Sequence, residues 1–198
     1  MESKKEWDYF PHIWKTEAQY LSWVRGQIRQ IWKTSPQRNE FLKEQTKRLP
    51  KYNEDGSPIF YKNGKVKLYK AYICNCCETI CYDSDKVGGF RKTFAVDHIK
   101  GNHSLTSFEQ APLFFEAMLR VRKEDLQILC NECHDIKSYA EKYDKTLEEA
   151  FIDKKVISLI NNKEDKTFFI SRHLQVPSNL LSRRKEMITI LTRELSQI

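Results

Sequence analysis

No run of apolar residues in this 198-residue chain approaches the length needed to cross a bilayer, and the opening MESKKEWDYF lacks the apolar core of a secretory signal. The expectation is a cytoplasmic protein, in a bacterial host cell if it is phage-encoded, with no membrane partner. Internal repeats and low-complexity segments are also missing, which argues against a repeat array. The length suits one ordinary domain, or a small catalytic module with helical attachments, and not two large cores. Neither sign of charge is scarce: 34 Lys and Arg face 27 Asp and Glu, for a formal net charge of +7. That balance describes a basic surface rather than a polycationic tail, and nucleic acid is the first partner it suggests.

What the chain does hold is six cysteines. In a reducing compartment these read as metal ligands before disulfides. Two C-x-x-C pairs occur, Cys74 with Cys77 and Cys130 with Cys133. Two such short turns can each aim two sulfurs at one ion, which is what tetrahedral zinc requires. Cys76 and Cys81 are left over; Cys76 could replace a neighbour as ligand and Cys81 could replace Cys77, but the repeated spacing favours Cys74, Cys77, Cys130 and Cys133.

The pattern around them predicts an α+β protein: a small zinc-stapled module flanked by N- and C-terminal helices. A helical segment is expected over 1–52, the zinc-bearing module over 53–143, and a second helical segment with DNA or partner contacts over 144–198. Thr16-Glu17-Ala18-Gln19 resembles a capping box, and Tyr20, Leu21, Val24, Ile28 and Ile31 recur at helical spacing. Pro36 suits the first turn of a second helix running to about Arg48. Trp7, Trp14, Trp23 and Trp32 are expected in the core. Asn63-Gly64, between two β-rich runs, is a hairpin signal, and Gly88-Gly89 marks another turn. Phe94-Ala95-Val96 suits a short buried strand that ends on Asp97-His98. Helical patterns follow at 107–119, 134–143 and 146–160, with a last helix after Pro177-Ser178.

Asp97 and His98 at a strand end, with His134 beside a zinc ligand, suggest a divalent cation held by Asp97 and His134 while His98 faces the other side of a phosphate. The stretches VDHI, LQILCNECHDIKS and CNCC, within residues 70–143, resemble the HNH nuclease family, with its β-β-α metal fold and four-cysteine zinc site, and especially compact HNH proteins of bacteriophages and prophages. The resemblance implies a metal-dependent endonuclease hydrolysing DNA phosphodiester bonds. It makes His98 the general base that activates water and Asp97 and His134 the ligands of the catalytic cation. Magnesium or manganese is the first expectation for that cation, with nickel and zinc compatible. Asp125 stands where the family has an Asn that braces the loop bearing the base; Asp retains the acceptors but lacks the amide donors, so it orients the loop through a backbone N–H, joins the coordination of the cation, or weakens activity.

Around this centre Lys92, Lys100 and Lys137, with Arg183, Arg184 and Lys185 in the last helix, are candidate phosphate contacts. His103 is a further candidate base or ligand. Two alternatives stay open: a non-catalytic zinc module that binds DNA or protein, and an interaction protein whose helices dock on a phage or host assembly.

Overall fold

The N-terminal residues place a helix before any sheet. Helix α1 (Glu17–Thr34) starts at Thr16, whose hydroxyl accepts the Gln19 N–H at 3.3 Å. Its inward stripe is Leu21, Ile28 and Trp32, while Ile31, off that stripe, is half exposed. Ser35 ends α1 and caps α2 (Pro36–Gln45), accepting the Arg38 N–H with Pro36 in the first turn. The expected continuation of this helix to Arg48 is corrected: residues Lys47–Pro50 form strand β1, antiparallel to β2 (Leu68–Ile73), with Lys47 opposite Ala71 and Pro50 opposite Leu68. Proline disfavours helix in the residue before it and is tolerated on an edge strand, and β1 is such an edge. β3 (Ile80–Tyr82) pairs on the other side of β2.

This computed structural model describes residues 6–87, 91–100 and 105–197; the Gly88-Gly89 turn and His103 lie outside them. The chain divides into two compact units, one ending at Asn131 and one beginning at Glu132. The boundary expected at residue 53 falls between β1 and its partner β2. The α+β class is as expected.

Between β1 and β2 the chain makes two matching three-residue loops. Gly56 (φ +80°) donates to Asn53 O at 3.0 Å while Asn53 N donates to Ser57 O at 2.8 Å. Gly64 (φ +79°) repeats the arrangement with Tyr61 and Lys65, at 3.0 and 2.8 Å. Each is a turn closed by a left-handed residue, a conformation glycine adopts without steric cost.

Strands β4 (Lys86–Val87) and β5 (Arg91–Lys92) form a short pair. β6 (Phe94–His98) is antiparallel to β7 (Leu126–Cys130), with α3 (Ala111–Leu119) in the connection. β7 passes directly into α4 (Asn131–Tyr143), giving the β-β-α order. One core serves the first unit: Trp32, Phe41, Tyr72, Phe94, Phe114 and Ile128 belong to a single buried cluster, with the Tyr72 and Phe94 rings 4.3 Å apart.

The second unit has its own core. α5 (Leu147–Asn161) begins with a reciprocal capping box between Thr146 and Glu149. It packs with α6 (Asp165–Ile170) and α7 (Leu180–Leu195) around Ile152, Val156, Phe168, Phe169, Met187 and Leu191. Two buried carboxylates are paired: Asp153 with Lys145 and the Tyr139 hydroxyl, and Asp165 with Arg183. Among the described residues no helix is long and apolar enough to cross a membrane.

Candidate metal centre and the strand-end histidine

The first cysteine pair sits on a tight knuckle leaving β2. Cys74 N donates to Thr79 O and Glu78 N to Cys74 O, both at 3.0 Å, and Glu78 is left-handed with φ +59°. Asn75 fastens this knuckle to β7 from both sides: its N–H donates to Ile128 O at 2.8 Å and its Oδ1 accepts the Ile128 N–H at 2.7 Å. Cys130 closes β7, and Cys133 lies in the first turn of α4. Asn131 N donates to Thr93 O at 3.1 Å, which holds that turn against the residue preceding β6.

The outcome is a cluster of Cys74, Cys77, Cys130 and Cys133 whose four sulfurs all lie within 4.8 Å of one another. None is in a disulfide. Cys77 Sγ and Cys130 Sγ are 3.7 Å apart. A tetrahedron with zinc–sulfur bonds of ~2.3 Å has edges of about 3.8 Å, so the spacing and the soft donor set both fit structural zinc. Thr79 Oγ1 lies 3.2 Å from Cys77 Sγ and supplies a polar neighbour to that sulfur.

Both spare cysteines fall outside the cluster. Cys76 is exposed. Cys81 is buried in the core, and burial, reinforced by Cys130, Cys74, Cys77 and Asp85, pushes its thiol up to about 11.

Asp97 and His98 end β6 opposite Gln127 and Leu126. The Asp97 carboxylate accepts Gln127 Nε2 at 3.0 Å. His98 is only 6% exposed, and its ring lies 5.3 Å from that of Trp32 at a 33° tilt. The loop after His98 is braced from the backbone: Ile99 N donates to Asp125 O at 2.8 Å. The Asp125 carboxylate is exposed and accepts the Arg122 N–H at 3.1 Å, closing its own short turn. Asp125 also lines an open cleft of about 1050 Å³ with Arg120, Arg122 and Glu116. His134 follows Cys133 in the first turns of α4 and is half-buried.

The candidate phosphate contacts divide by their existing partners. Lys100, Arg184 and Lys185 are exposed. Lys92 pairs with Asp83 at 3.0 Å, and Lys137 with Glu141 one turn along α4. Arg183 is turned inward: its Nε reaches Asp165 at 2.6 Å, its Nη1 donates to Pro177 O at 3.0 Å, and its side chain is 12% exposed. Pairing with a carboxylate inside the helical unit commits this guanidinium to structure.

Sequence reasoning missed two positioning residues. Asn75 was legible as a polar residue inside C-x-x-C, but its grip on β7 depends on a residue 53 positions away. Trp32, read as core, also covers His98, and no local pattern links the two. Of the other indoles, Trp23 is 46% exposed, and Trp7 and Trp14 are half-buried and join it around Tyr20 in an aromatic group outside the buried cluster, so the expectation that all four lie in the core is corrected for these three. Comparison with protein-family models, curated proteins and solved structures found no match to this chain.

Proposed function

We propose that the chain is a metal-dependent endonuclease of the HNH type, hydrolysing phosphodiester bonds of DNA. The observation that carries the reading is the antiparallel β6–β7 pair running into α4, with Asp97-His98 at the end of one strand and a four-thiol cluster at the end of the other. In-line attack of water on a phosphodiester needs a base near neutral pH, which an imidazole supplies, and His98 takes that role. Asp97 and His134 offer an oxygen and a nitrogen to a divalent cation, which when bound neutralises charge on the phosphoryl and leaving oxygens. Gln127 orients the Asp97 carboxylate, and the Asp125 carbonyl holds the backbone beyond His98. Bracing through a carbonyl makes the side chain at position 125 secondary, which accommodates Asp where the family has Asn.

A second reading has its own support. His98 is buried under Trp32, as an imidazole with a purely structural task would be, and this favours a zinc-stapled binding module without catalysis. Supercoiled plasmid incubated with magnesium, manganese, nickel or zinc separates the two. Nicking or linearisation by the parent, reduced by at least a hundredfold in His98→Ala with zinc content unchanged, is the expected result. No cleavage with any metal, or equal rates in the two proteins, overturns the nuclease and leaves the binding module.

A further inference from the structure

The chain's positive charge is concentrated on an arm that the nuclease reading does not use. Residues 47–70 carry seven Lys or Arg against two acidic residues, a net +5 of the chain's formal +7. Four aromatic residues, Tyr52, Phe60, Tyr61 and Tyr69, are interleaved with them, and the first three are 56%, 53% and 49% exposed. Apart from Lys51, which pairs with Asp85, no carboxylate among the described residues forms an ion pair with the basic residues of this arm.

The side chains are ordered into a row of rings and cations. Lys67 Nζ lies 5.8 Å from the Tyr61 ring centroid and 4.9 Å from that of Tyr69; Lys51 Nζ lies 6.0 Å from Tyr69 and 5.5 Å from Tyr82. Beside this row is an open cleft of about 480 Å³ lined by Arg48, Tyr61, Asn63, Lys65, Val66 and Leu68. One exposed ring, two cations and an amide at one concavity are complementary to a nucleotide: the ring to a base face, the cations to phosphate, the amide to a base edge.

We propose that the arm of residues 47–70 binds single-stranded DNA, with Tyr61 stacking on a base and Arg48 and Lys65 gripping the flanking phosphates. Exposed rings favour an unpaired strand, because bases within a duplex are already stacked on one another. The choice of DNA rests on the nuclease reading; the choice of a single strand rests on the arm itself. The arm thereby supplies substrate selection: DNA with an unpaired stretch is held more tightly than continuous duplex.

The test is fluorescence anisotropy with a labelled 20-mer of dT, a 20-base-pair duplex and a 20-mer of U, without added divalent cation, using the full chain and the variants Tyr61→Ala, Tyr61→Phe and Arg48→Ala/Lys65→Ala. The expected result is tighter binding of dT than of duplex. Tyr61→Ala weakens dT binding roughly five- to a hundredfold, and Tyr61→Phe retains it because the ring remains. The double variant flattens the dependence of log affinity on log salt by about 1.4, two phosphate contacts at ~0.7 each. Parent-like dT binding by Tyr61→Ala, or tighter binding of duplex, overturns the arm as a single-strand site; tighter binding of the U 20-mer overturns the choice of DNA. Plasmid cleavage is read separately: a protein that binds dT through Tyr61 yet never cuts overturns the nuclease alone. Cutting at parental rate on all substrates by Tyr61→Ala overturns the arm alone.

Discussion

Arg183 and Arg184 are neighbours of one residue type with opposite circumstances. Arg183 is held at 2.6 Å by Asp165, with both side chains nearly enclosed, whereas Arg184 faces solvent. Removing one partner of an enclosed pair leaves the other charge uncompensated, at a cost of about 3 kcal/mol, while an exposed arginine contributes within ~0.5 kcal/mol. Urea denaturation should accordingly find Arg183→Ala strongly destabilised and Arg184→Ala close to the parent; equal midpoints would contradict the pairing. Glu78 makes the reverse case. Its φ of +59° in the cysteine knuckle is a conformation that side chains adopt at a cost, and glycine relieves it. Glu78→Gly should raise the stability of the zinc-loaded protein by up to ~1 kcal/mol, with glycine's greater freedom in the unfolded chain offsetting part of the gain. A lower denaturation midpoint in that variant would mean that the Glu78 side chain contributes something the backbone does not explain.

Among the elements, those with local signals were legible. Thr16 caps the helix the sequence assigned it, because an N-cap is recognised within four residues, and the helix expected over 146–160 starts at Thr146. Lys47 and Arg48, the first half of β1, carry a helical pattern because their strand state depends on β2, some twenty residues on, and local propensity carries no record of that partner. α6, six residues long, was not expected at all: it spans too few turns to establish a period. The cysteine spacing predicted the cluster, whereas the enclosure of His98 by Trp32 and of Arg183 by Asp165 arises only in tertiary packing. The capping box of α5 also sets a pH dependence. Hydrogen bonds from the Thr146 backbone and hydroxyl hold the Glu149 carboxyl below its ordinary value. A lowered carboxyl pKa contributes stability above its unfolded value, and that contribution fades as pH falls through the folded one. Melting of Glu149→Gln against the parent should therefore show a deficit at about pH 7 that closes near pH 3; a deficit independent of pH would assign the effect to something other than the ionised carboxylate.

At the scale of the molecule, two cores close separately: one around Trp32, Phe94 and Ile128, the other around Val156, Phe169 and Met187. Three of the four clustered cysteines, Cys74, Cys77 and Cys130, belong to the first unit. A strong chelator should unfold the region around the knuckle and β7 while α5 and α7 stay packed, because no residue of the second core belongs to the four-cysteine cluster that fits zinc. Amide hydrogen exchange distinguishes the outcomes: retained protection in 147–195 alongside lost protection in 74–77 and 126–130 is expected, and simultaneous loss in both would join the two units into one cooperative system. The indole of Trp32 adds a practical consequence. It is the one fully buried tryptophan among the described residues, and its ring faces His98, 66 positions further along the chain. With Trp7, Trp14 and Trp23 replaced by Phe, its emission becomes an intrinsic optical reporter of the strand-end imidazole. A ligand that drew His98 out from under the ring would change the colour or intensity of that light, so the proposed role of His98 can be followed without an added label.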